Sequence, residues 1–240
     1  MLTLHTFGPG LGEPSLSPFC LKAMILLDMA GLEWAPSWET MPGGPYDKLP
    51  WIATPEGVVG DSNLLIDWLE RRGAPIFPGF DPAARAMARA TIRMVEENLR
   101  HCLTHDRWLN DACWEVTRPV FFAAMPGPVR AVLPGHFRKK MRKGLLAQGM
   151  ARFSEADRLA YARADFDALE ALLGDGRWLF GAAPSAADAS AVPMLSMIDT
   201  LPADTALRRA LRARPLLMEY IARGRGRLYP QFSASLSAAA

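Results

Sequence analysis

The chain runs to 240 residues, 50% of them hydrophobic and 22% charged, with 27 basic against 25 acidic side chains and a net charge of +2. That composition excludes a disordered chain, and the balanced charge gives no global case for nucleic acid. No apolar stretch reaches the ~20 residues that a membrane span needs, the first residues lack the features of a signal peptide, and Cys20, Cys102 and Cys113 are too few for a disulfide framework. A reducing, cytoplasmic setting with no integral membrane contact is therefore expected.

Leu2–Phe7 alternates apolar and polar residues, the period of a strand. A loop rich in Gly and Pro follows, and Ser17-Pro18 then opens a helix that should stop near Gly31. Trp34–Trp38 is a short strand candidate, and Met41–Pro45 must be loop. Leu49–Ala53 and Val58–Gly60 flank Thr54-Pro55-Glu56-Gly57, a turn sequence, so a β-hairpin is expected there. Asp61-Ser62 starts a second helix with its apolar face on Leu64, Leu65, Trp68 and Leu69, ending at Gly73.

Ala74–Pro82 reads as a linker, and beyond it the strand signal fades. Ile92, Val95, Leu99 and Leu103 mark one face of a long helix starting at Asp81-Pro82. Ala162, Phe166, Leu169 and Leu173 mark another, capped near Ser154. Ser185–Asp188 has capping-box spacing before a third, in which Pro193 should kink the helix or delay its start. Short helices are expected over 206–213 and 216–222, four prolines break up 116–149, and residues 233–240 read as a frayed tail. The expected division is 1–73, a linker 74–82, a helical unit 83–232 and the tail 233–240.

Three short motifs can carry chemistry. Ser17-Pro18-Phe19-Cys20 sits where a loop meets a helix start, whose free N–H groups and dipole favour an anion such as a thiolate. Ser17 either lies at the mouth of such a site or merely caps, and Cys20, one turn inside, is either a supporting thiol or a small core residue. Leu49-Pro50 is either a cis pair exposing the backbone of Leu49 to a ligand or a proline on an edge strand. Asp61 and Ser62 either cap their helix or, with its N–H groups, hold the carboxylate and ammonium of an amino acid.

Taken in this order, with an all-helical second half, these motifs resemble the glutathione transferase superfamily. The stretches 17–22, 48–52, 61–66 and the closing Arg214-Pro215 through Leu228-Tyr229-Pro230 are most similar to its failed-axon-connections and metaxin-like branch. The resemblance implies an α/β thioredoxin-like N-terminal domain that binds glutathione as co-substrate, and an all-α C-terminal domain that shapes the pocket for a small electrophile. By position it assigns Ser17 to the glutathione sulfur, with Cys20 as the alternative group. It assigns Leu49 and Pro50 to the cysteinyl part, Lys48 to the glycyl carboxylate, Asp61 and Ser62 to the γ-glutamyl end, and His105, Trp108 and Trp114 to the second-substrate pocket. It also implies a homodimer.

Two departures stand out: serine where redox relatives carry cysteine, and a longer loop between Phe7 and Ser17. Glu97, His101 and His105 share a helix face at zinc-binding spacing, but without an HExxH pattern they read as solvated or capping groups, and no metal is expected. The basic run between Arg130 and Lys143, and the seven arginines from Arg208 to Arg227, read as solvated faces. They also leave open a non-catalytic adaptor of the same fold that binds a protein or membrane partner.

Overall fold

In the computed structural model, residues 1–229 are described; the tail expected over 233–240 lies outside them, as do Pro230 and the end of the helical unit. The N-terminal part forms β1 (Leu2–Phe7), α1 (Pro18–Met29), β2 (Trp34–Glu39), β3 (Trp51–Thr54), β4 (Gly57–Gly60) and α2 (Ser62–Arg71). The sheet order is β2-β1-β3-β4, with β1 parallel to β2 and antiparallel to β3, and β3 antiparallel to β4. The crossover through α1 makes the parallel pair possible, and the hairpin tip at Pro55-Glu56 makes the antiparallel one. The expected order of strands and helices is thus observed, an α/β domain with a thioredoxin-like sheet.

α1 is buried from Cys20 through Leu27. It lies between α2 on one side and the helical half on the other, so it is apolar nearly all round, as a helix without a solvent face must be. Asp81 opens α3 (Pro82–Met94) by accepting a hydrogen bond from the Ala84 amide at 2.7 Å. The single long helix expected there is interrupted: a π-helical turn, Val95–Leu99, separates α3 from α4 (Arg100–Leu109). Such a turn accommodates one extra residue without breaking the helix, and nothing in the apolar spacing announces it. The expected linker is itself anchored, with Ile76 fully buried and its carbonyl accepting from the Ala186 amide at 2.8 Å.

Residues 116–149, expected to be broken by proline, are mostly helical: α5 (Asp111–Phe121) and α6 (Gly127–Gln148). Pro128 stands in the first turn of α6, where no amide is missed. Pro119 and Pro134 lie inside helices, and the residues four back, whose carbonyls lose their helical donor, are the exposed Glu115 and Arg130. α7 (Glu155–Leu173) is capped by Ser154, which accepts from the Asp157 amide at 3.1 Å.

α8 (Ala186–Asp199) begins at the expected capping box, so Pro193 within it does not delay its start. Asp188 is fully buried and accepts from the Ser185 amide and hydroxyl, the Leu179 amide and the Tyr220 hydroxyl, tying α8 to two other segments. α9 (Ala206–Arg212) is close to expectation; α10 (Pro215–Leu228) runs six residues past it. Its Gly224 suggests a break in the sequence, yet in the fold a Cβ there would come within 2.6 Å of Val192. The glycine serves close helix packing, not chain reversal.

Candidate functional site

The site forms where the C-terminal side of the sheet meets the first long helix of the helical half. Leu49-Pro50 is cis. The Pro50 carbonyl accepts from the Asp61 amide at 3.1 Å, which holds Asp61 at φ 72°, a left-handed conformation unusual for a residue with a side chain. That conformation turns the chain sharply into α2. The carboxylate of Asp61 caps α2, accepting from the Asn63 amide at 2.8 Å. Ser62, first residue of the helix, does not cap: it is 1% exposed and its hydroxyl has no hydrogen-bond partner among the described residues. Leu49 likewise gives neither its amide nor its carbonyl to any hydrogen bond among them.

A cleft of about 660 Å³ collects the five residues assigned by resemblance to the glutathione backbone and termini, Lys48, Leu49, Pro50, Asp61 and Ser62, but not Ser17, assigned to its sulfur. It shares Phe7, Phe19 and Arg100 with a smaller cavity of about 200 Å³. Ser17 lines the smaller cavity, half-buried, at the N-terminus of α1. Its side chain makes no capping bond, contrary to the simple capping reading.

Cys20 lies behind it, fully buried. Burial pushes its thiol up, and that outweighs the hydroxyls of Thr6, Ser17 and Ser15 and the backbone of Phe7, which favour its anion. Of the residues expected in the second-substrate pocket, Trp108 lines the smaller cavity. Trp114 stands behind Trp108, ring centroids 5.7 Å apart, in a satellite aromatic core; His105 pairs with Asp106 at 3.3 Å. Neither lines either cavity.

Beneath Ser62 runs a buried polar network that sequence reasoning missed. Lys22, on α1, is 1% exposed and donates to Glu96 at 2.6 Å and to Asn63 at 2.9 Å. Glu96, on the π-helical turn, also accepts from the Asn63 amide group at 2.7 Å and the Ser190 hydroxyl at 2.7 Å. Burial lowers the basicity of Lys22, and the adjacent Glu96 carboxylate pulls it back. The network joins α1, α2, the π turn and α8, so both halves of the chain fix the floor of the larger cleft. A signal existed: Lys22 is the one charge inside the apolar run from Cys20 to Leu27, and a buried lysine needs a buried partner.

Arg100 and Arg107 were also missed, although Arg100, Leu103, Thr104, Arg107 and Trp108 recur at helical spacing along one face and all line the smaller cavity. Arg100 donates to the Glu96 carbonyl at 2.7 Å and lies 2.8 Å from Nε2 of His101, whose Nδ1 is bonded to the Glu97 carbonyl. Burial and the adjacent guanidinium keep His101 neutral to lower pH than usual. No group of three or more His, Cys, Asp or Glu among the described residues is arranged to hold a metal ion. The arginine-rich C-terminal stretch is largely spent internally: Arg212 pairs with Asp199, Arg214 with Asp167 and Glu170, and Arg225 with Glu13. No helix among the described residues is long and apolar enough to cross a membrane.

Residues 18–113 match the family model of the glutathione S-transferase N-terminal domain, and residues 130–223 match that of the glutathione S-transferase C-terminal domain. An isoprene-epoxide–glutathione S-transferase of Rhodococcus sp. (strain AD45) is 30% identical over 231 residues, 93% of this chain and 97% of the relative. Human metaxin-1 is 27% identical over 82% of this chain, which spans 44% of metaxin-1. Among solved structures, glutathione transferase F2 of Populus trichocarpa superposes over the whole of both chains with a TM-score of 0.62 at 11% identity. A glutathione S-transferase of Ceriporiopsis subvermispora in complex with glutathione gives 0.61 at 17% identity, over 93% of this chain and 96% of that one. Both halves of the fold, the matched models and the full-length relative agree: the chain belongs to the glutathione transferase superfamily and carries a metaxin-like resemblance within it.

Proposed function

We propose that the protein binds glutathione in the larger cleft and joins it through its sulfur to a small electrophile, of which a small epoxide is the best candidate, held in the adjoining cavity. The observation that carries the reading is the buried, unpartnered hydroxyl of Ser62 at a helix N-terminus. A buried hydroxyl without a partner is costly, and a carboxylate arriving at the cleft would accept from it and from the amides of the first turn. The γ-glutamyl end takes that place, with its ammonium toward Asp61. The unpaired backbone of Leu49 takes the cysteinyl amide, and exposed Lys48 the glycyl carboxylate.

The thiol then lies at Ser17 and the start of α1, where the hydroxyl and the helix dipole favour the thiolate; a drop of one pKa unit needs about 1.4 kcal/mol, the size of one hydrogen bond to a charge. Epoxide as the substrate class takes its support from the name of the full-length relative and from the small size of the second cavity.

The adaptor reading draws on the metaxin-1 relatives and on α6, where Lys139, Lys140, Arg142 and Lys143 are exposed. Retention on immobilised glutathione, elution by free glutathione and consumption of a small epoxide support the transferase. Passage through the column without retention, with no turnover, favours the adaptor. A homodimer in cytoplasm is the accompanying expectation, checked by sedimentation and by fractionation.

A further inference from the structure

We propose that the smaller cavity selects electrophiles whose leaving atom is an oxygen that stays tethered to the product, and that Arg107 donates a hydrogen bond to this oxygen as it takes the electron pair. The inference rests on the reading that the glutathione sulfur stands at Ser17, and goes beyond it in assigning the residue that distinguishes an epoxide from other electrophiles.

Arg107 is 6% exposed and lines the cavity. One Nη donates to the Leu16 carbonyl at 3.0 Å. That carbonyl is bonded directly to the Ser17 nitrogen, so the guanidinium lies one peptide unit from the proposed sulfur site. Its Nε is buried with no hydrogen-bond partner among the described residues. No carboxylate among them stands within ion-pair distance of it; Glu13, the nearest acid by its electrostatic effect, is instead bonded to Arg225 and Ser196.

A buried guanidinium with no carboxylate in contact, and with only the Glu13 carboxylate acting on it from further off, is expensive unless something answers it. The cavity around it holds a second guanidinium, Arg100, no acid, and otherwise mainly apolar and aromatic walls from Phe7, Phe19, Leu103, Trp108 and Phe121. Such a cavity fits a small apolar body on which negative charge appears during reaction, beside two guanidinium groups that can answer it.

When the thiolate attacks a strained cyclic ether, a C–S bond forms and a C–O bond breaks. The electron pair of the broken bond stays on the oxygen, next to the attacked carbon and so close to the sulfur. The alkoxide takes a proton from water, replacing the one the thiol released to solvent, and the product is a 2-hydroxy thioether. Donors already aimed at the developing alkoxide act in the transition state more than in the ground state. A departing bromide is a diffuse, weak acceptor and draws much less from the same donor.

The test uses 1,2-epoxybutane and 1-bromobutane as paired probes with glutathione, on the full chain and on Arg107→Met, Arg107→Lys and Arg100→Met. For Arg107→Met we expect kcat/KM to fall about 100-fold on the epoxide and by no more than about threefold on the bromide, with glutathione affinity held. Arg107→Lys should fall selectively but less, and it decides the matter if the Met variant does not melt cooperatively. Equal losses on both probes, an unchanged epoxide rate, or a selective loss in Arg100→Met but not in the Arg107 variants overturns the proposal while leaving the transferase reading intact. A wild-type chain that binds glutathione and consumes the bromide but not the epoxide does the same. A wild-type chain that does not bind glutathione, or consumes neither probe, overturns both.

Discussion

Replacing Ser62 by alanine should move stability and affinity in opposite directions. The hydroxyl is 1% exposed and unpartnered, so the ligand-free protein carries a buried, unsatisfied polar group, a cost of about 1–3 kcal/mol. Alanine removes the hydroxyl, leaves no orphaned partner and suits a helix. Taking about 1 kcal/mol, the ligand-free melting temperature should rise by about 2–4 °C for a chain of this size.

With glutathione bound, the same hydroxyl donates to a carboxylate, worth about 1.5–3 kcal/mol, so affinity should fall tenfold or more. At a glutathione concentration 100 times the wild-type dissociation constant, the ligand stabilises the wild type by about 2.7 kcal/mol, and the variant, bound tenfold more weakly, by about 1.4 kcal/mol. The variant's advantage should therefore vanish as glutathione is added. Differential scanning calorimetry along a glutathione titration, with isothermal calorimetry for affinity, measures both effects. A variant that melts below the wild type without glutathione would show that the hydroxyl is satisfied in the free protein. Unchanged affinity would mean that the Asp61-Ser62 pair serves only its helix.

Ser17→Ala should cut conjugation tenfold or more, whereas Cys20→Ala should cost about 1–2 kcal/mol of stability and leave turnover standing; turnover lost with Cys20→Ala and kept with Ser17→Ala, measured with a general electrophile, reverses the assignment. Glu96→Gln leaves the Lys22 ammonium buried without its counter-charge and should destabilise by about 3–5 kcal/mol in urea, with Lys22→Met in the same chain recovering part of the loss; additive losses would show that the pair is not coupled. Asp165, pushed up by burial to about 6 from an ordinary 3.8, binds more protons folded than unfolded between those values, so its contribution falls as pH rises through that window. Asp165→Asn should then stabilise the protein by about 1–3 kcal/mol at pH 7.5 and by nearly nothing near pH 4; a loss at pH 7.5 in chemical denaturation refutes the sign.

The elements that sequence reading placed well are those whose signal is local. Asp-Pro before α3, Ser-x-x-Asp before α8 and glycine after α2 each satisfy or terminate backbone hydrogen bonds within a few residues, and Pro18 starts α1 by its fixed φ although Ser17 makes no capping bond. Leu49-Pro50 and Asp61-Ser62 could be singled out for the same reason, since a hairpin and the start of α2 bring them together, whereas Lys48 came from the resemblance alone. The misses are tertiary. Proline in α5 and α6 is tolerated where the residues four back are exposed, which only burial reveals. Gly224 reads as a break until Val192 is seen against it. Glu96 reads as one more surface acid until the π turn carries it under α2, where Lys22 and Asn63 meet it. His105 was assigned from beyond the midpoint of a long helix, and the π turn changes which face of α4 meets the cavity; Trp114 stands on α5, a separate helix that begins at Asp111.

The family models leave residues 114–129 unmatched between them, and on the proposed reading these residues bear on which electrophile the protein takes. They supply Phe121 to the wall of the smaller cavity and Trp114, Phe121, Phe122 and Met125 to the satellite aromatic core with Trp108 and Phe137. That core is separate from the main one, and it fixes α6, whose Met141 closes another side of the cavity. Arg138 ties the assembly down by donating to the carbonyls of Trp108 and Leu109, at the end of α4. The larger cleft rests on β3, β4, α2 and the Lys22–Glu96 pair, all within matched sequence. The smaller cavity is completed by a segment with its own small core. In this chain the two arginines of α4, Arg100 and Arg107, stand on the matched helix and give that cavity its positive charge.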